Sequence, residues 1–83
     1  MTEKEIQKLG FEEQIDNDNG KLYHYYTYKI ASGVEFITPA NDEVESQSKW
    51  YVEFFDSDPK IRFKDSRELQ TVINILENSK VKK

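Results

Sequence analysis

The chain has 83 residues, a net charge of −4, no cysteine and eleven aromatic side chains, five Phe, five Tyr and one Trp. That length suits a single domain, residues 1–83, built on one aromatic and aliphatic core. The missing cysteine excludes disulfides, thiolate nucleophiles and cysteine-based zinc sites. No apolar run reaches membrane-spanning length and the first residues lack the pattern of a signal peptide, which predicts a cytoplasmic protein without membrane contact.

In chain order, Thr2 and Glu5 have capping-box spacing, Ile6 and Leu9 supply an apolar edge, and Gly10 stands where a helix closes in the left-handed conformation. The spacing predicts a short helix, with Phe11 placed to touch Ile6 after a Schellman turn. Phe11, Glu13 and Ile15 then alternate with Glu12 and Gln14 as a short first strand. The polar run from Asp16 ends in Asn19-Gly20, a hairpin signal.

Residues 21–30 have high β propensity. They would place Leu22, His24, Tyr26, Tyr28 and Ile30 on one face, and Tyr23, Tyr25, Thr27 and Lys29 on the other. A turn at 31–33 leads to a third strand at 34–38, stopped by Pro39. Residues 40–48 read as an exposed acidic loop with Val44 as its one sizeable apolar residue. Trp50, Val52 and Phe54 alternate with Tyr51, Glu53 and Phe55 in a fourth strand, followed by turn residues at 56–59 and a short fifth strand in which Ile61 and Phe63 alternate with Lys60, Arg62 and Lys64.

Asp65 is an N-cap with Glu68 three residues on, and Leu69, Val72, Ile73 and Leu76 form one helical stripe. A polar basic tail, 78–83, ends the chain. The expected fold is α+β, in the order αβββββα: an antiparallel sheet of four or five strands with the C-terminal helix on one face and the short N-terminal helix beside it. The expected core is Ile6, Leu9, Phe11, Trp50, Val52, Phe54, Ile61, Phe63, Leu69, Val72, Ile73 and Leu76, joined by Val34, Phe36, Tyr26 and Ile30.

Chemistry-bearing motifs are sparse. His24 is the only histidine, with no nucleophile motif near it and no phosphate-binding glycine loop in the chain. Asp16 and Asp18 resemble half of a calcium loop, but position twelve of that loop would be Thr27 rather than Glu. The expectation is a non-catalytic protein with no cofactor and no metal.

Charge is distributed unevenly, with a balance of −8 up to Asp58 and +4 from Pro59 onward. Lys60, Arg62 and Lys64 lie two apart, so a strand would put them on one face. With Tyr51, Tyr23 and Tyr25 they form a candidate interaction surface. Two readings follow. A protein-binding module would use the tyrosines, which couple apolar area to a hydroxyl. A single-stranded nucleic-acid binder would combine cations with stacking rings. The overall acidity and the absence of a nucleic-acid signature favour an unknown protein partner, for a chain that is itself a monomer or weak homodimer. A cross-strand pair between Glu53 and Arg62 would partly neutralise the basic row.

The run Leu9-Gly10-Phe11-Glu12, the tyrosine-rich strand from Tyr23 to Tyr28, Trp50-Tyr51-Val52-Glu53 and Ile61-Arg62-Phe63 with its following helix resemble short uncharacterised proteins of bacterial prophages and mobile elements. The likeness spans most of the chain. It implies a small accessory or host-directed binding protein and assigns no role to any residue.

Overall fold

The computed structural model describes residues 1–31, 34–55 and 59–79. The turns expected at 31–33 and 56–59 and the tail at 78–83 fall partly outside them. The order is α1 (Glu3–Lys8), β1 (Glu12–Asp18), β2 (Lys21–Ala31), β3 (Val34–Ile37), β4 (Val52–Phe54), β5 (Arg62–Phe63) and α2 (Ser66–Asn78). The five strands form one antiparallel sheet in sequential order, β1-β2-β3-β4-β5.

Local chemistry sets the ends of the elements. Thr2 and Glu5 make the full capping box of α1, the Thr2 side chain accepting from Glu5 N–H and the Glu5 carboxylate accepting from Thr2 N–H at 2.8 Å. Gly10 takes φ +97° and donates to Gln7 O at 3.1 Å, closing the helix in the left-handed conformation. At α2 the Asp65 carboxylate accepts from Arg67 N–H at 2.8 Å. That bond goes one residue short of the amide a capping box with Glu68 would use.

Between β1 and β2 the turn is only Asn19-Gly20, with φ of +54° and +86°, the type I′ geometry that matches strand twist. The strand β1 is consequently seven residues long. The run 16–18, expected to belong to the turn, pairs with residues 21–23 instead.

Register assigns the faces. Phe11, Tyr26, Tyr28, Phe36, Phe54, Val52 and Phe63 share one side of the sheet, and both helices pack there. The core joins Ile6 of α1 and Leu69 and Ile73 of α2 to Phe11, Tyr26, Ile30, Phe36, Trp50, Val52 and Phe63, with Leu9, Val34, Phe54, Val72 and Leu76 packed around it. Burying Leu69 and Ile73 contributes about 1.5–3 kcal/mol each, more than the ~1 kcal/mol of the Asp65 cap.

Ile61 corrects the expected core, being 46% exposed. The strand β5 is paired over two residues only, and Ile61 precedes them. Ala40, by contrast, is buried, and Met1 and Val44 pack against the core. The stretch 40–48 is thus exposed over most of its length but anchored at Ala40 and Val44.

Candidate interaction face

Continuing the same register gives the composition of the opposite face. One row across the strands is Glu12, Thr27, Ile37, Glu53 and Arg62. The next row on this face holds Gln14 and Tyr25 and a third Asp16 and Tyr23, while Tyr51 joins the face beneath Arg62. Among the described residues neither helix lies on this face. Tyr23, Tyr25, Thr27, Ile37 and Tyr51 are all partly exposed there.

The structure therefore gathers the tyrosines of the expected surface on one side. Tyr25 lies on β2 and Tyr51 just before β4, two strands away. The rings of Tyr23 and Tyr25 stack at 6.3 Å. Burial raises the Tyr23 hydroxyl above its ordinary pKa, and the cross-strand carboxylate of Asp16 pushes it the same way.

The basic row is less coherent. Arg62 lies over the Tyr51 ring, 4.0 Å from its centre, while its guanidinium meets Glu53 Oε2 at 3.2 Å. One cation is thus held by a ring and a carboxylate of its own sheet. Lys60 and Lys64 are exposed on either side of β5. The expected pairing of Glu53 with Arg62 is present.

A second polar group on the helix side eluded the sequence reading. Glu3 Oε2 accepts from the Tyr26 hydroxyl at 2.6 Å and meets His24 Nε2 at 2.6 Å, while Gln7 Nε2 donates to the Tyr26 hydroxyl at 2.9 Å. The His24 ring also stacks on Trp50 at 6.1 Å. Partial burial works against ionised Glu3, but the hydrogen bonds from Tyr26 and His24 and the charge of His24 prevail and hold its pKa below the ordinary value. Burial, reinforced by the Glu3 bond, pushes Tyr26 up to about 12. Only the lone histidine and the alternation of β2 hinted at this group, because Glu3 and Gln7 reach it from another element.

Among the described residues no three His, Asp or Glu side chains gather as metal ligands, and no helix is long and apolar enough to cross a membrane. No protein-family model matches the chain, and neither a curated protein nor a solved structure matches it.

Proposed function

We propose that this chain is a small non-catalytic protein-interaction module whose docking surface is the helix-free face of the sheet, centred on Tyr23, Tyr25 and Tyr51. The observation that carries the reading is the placement of three partly exposed tyrosines, with Ile37 on the same side of the sheet, on a face that neither helix covers. Such a surface offers flat apolar area with hydroxyl handles at its rim, the composition enriched in protein interfaces. Among the described residues no Ser or Thr hydroxyl bonds the polar group at His24, which reads as a structural tie between α1 and β2.

Single-stranded nucleic acid is the second reading, supported by the stacked Arg62 and Tyr51. It is weaker because Glu53 neutralises Arg62 and because Asp16 and Glu12 would meet phosphates approaching the tyrosines of β2.

Affinity capture from a bacterial lysate, with and without nuclease, tests both. A discrete protein retained in both samples by the wild-type chain and lost with Tyr25→Ala/Tyr51→Ala is the expected outcome. Retention that vanishes with nuclease, and with charge reversal at Lys60, Arg62 and Lys64, would replace it with the nucleic-acid reading.

A further inference from the structure

Among the described residues no strand pairs with the outer edge of β1. Its hairpin fixes which backbone groups face outward. A two-residue type I′ turn makes its flanking pair, Asp18 and Lys21, hydrogen-bonded, and the pairs alternate from there. Asp16, Gln14 and Glu12 therefore bond β2, while Ile15 and Glu13 present their N–H and C=O groups to the open edge and Asn17 its C=O, the Asn17 N–H donating to Asp16 Oδ1 at 2.8 Å. The far side of β2 agrees: His24 and Tyr26, the partners of Ile15 and Glu13, direct their backbone groups toward Asn41 and Thr38.

Side chains along this edge are sorted by face. Ile15 is 67% exposed, and so is Leu22 on the same face of the neighbouring strand. On the other face stand Glu12, Asp16 and Asp18, and among the described residues no Lys or Arg makes a salt bridge with them; Lys21, opposite Asp18, lies 4.0 Å from Asp42 instead. A second copy docking β1 against β1 would bring these carboxylates together, which like-charge repulsion opposes.

We infer that β1 is an augmentation edge for an extended segment of a partner protein, one that alternates Lys or Arg with aliphatic residues. Its backbone bonds Glu13, Ile15 and Asn17, its cations oppose Glu12, Asp16 and Asp18, and its aliphatic side chain covers Ile15 beside Leu22. This deepens the interaction reading above by naming the partner's chemistry.

The probe is a dye-labelled peptide of about eight residues alternating Lys and Val, long enough to span the strand, read by fluorescence anisotropy and by amide hydrogen exchange. The expected result is salt-dependent binding that protects the Glu13 and Ile15 amides. Ile15→Pro removes an outward N–H and no ladder bond, so it should cut binding at least about tenfold with the fold intact by circular dichroism. If that variant unfolds, Glu12→Lys/Asp16→Lys decides: it should lose the Lys-Val peptide and gain a Glu-Val one.

No binding to the wild-type chain, equal binding to Ile15→Pro in its folded form, or protection that arises from self-association overturns the proposal. Peptide binding that depends on Tyr25 and Tyr51 but not on Ile15 overturns it in favour of the tyrosine face. Conversely, a captured protein lost with Ile15→Pro and kept with Tyr25→Ala/Tyr51→Ala would sink the face and leave the edge standing.

Discussion

At Trp50 the indole is 2% exposed and packs edge-on against Tyr26, with centroids 5.7 Å apart, as well as on His24. Trp50→Ala should cost about 3–5 kcal/mol in urea denaturation, because the removed volume is walled by rings that cannot collapse fully. A loss below ~1 kcal/mol would mean that the indole contributes little to the core. Tyr26, 1% exposed, combines packing with a hydroxyl that donates to Glu3 and accepts from Gln7. Tyr26→Phe keeps the ring and removes two hydrogen bonds, leaving Glu3 bonded to His24 and exposed Gln7 open to water, so it should destabilise by about 0.5–1.5 kcal/mol. The burial of Trp50 could be read from its alternation with Val52 and Phe54. The hydroxyl network could not, since its partners lie some twenty residues away and nothing in local pattern links them.

The sheet continues beyond β3 by an unusual route. Thr38 N–H donates to Tyr26 O at 3.0 Å, Tyr26 N–H donates to Thr38 Oγ1 at 3.0 Å, and further on His24 N–H donates to Asn41 Oδ1 at 2.8 Å. Two side-chain oxygens thus take over as acceptors where Pro39 interrupts the strand. Thr38→Val should cost about 1–3 kcal/mol by orphaning the buried Tyr26 N–H, whereas Thr38→Ser should restore most of it; chemical denaturation of the pair distinguishes lost bonding from altered shape. Pro39 is legible in the sequence as a strand end. The handover to side chains is not, because Thr and Asn at those positions read equally well as loop residues. A similar limit explains β1: the polar run 16–18 reads as turn by composition, but the I′ turn at Asn19-Gly20 and the high β propensity of β2 recruit it into the ladder.

For the molecule as a whole, pH should narrow the stable range from both sides. Glu3 is held below the usual carboxylate value near 4.5, so its contribution is present above that pH and is lost as pH falls through the lower folded value. Tyr26 is raised from 10 to about 12, so its contribution is complete below pH 10 and is lost as pH rises toward 12. Thermal melts across pH should show this alkaline loss reduced in Tyr26→Phe. An identical alkaline slope in the variant would assign the loss to other groups.

The residues alone determined the element order, the antiparallel α+β architecture and most of the core, because period-two and helical stripes, two caps and an Asn-Gly turn all act within a few residues of themselves. They also placed Glu53 opposite Arg62, since strand alternation carries across one short turn. Tertiary structure alone decided that both helices share one face and leave Tyr23, Tyr25 and Tyr51 together on the other. It likewise left Ile61 uncovered, joined Glu3 to Tyr26 and His24, and made β1 an open edge whose outward amides are those of Glu13 and Ile15. Those outcomes depend on which face each helix covers and on how strands register, and both are settled by packing between residues far apart in the chain.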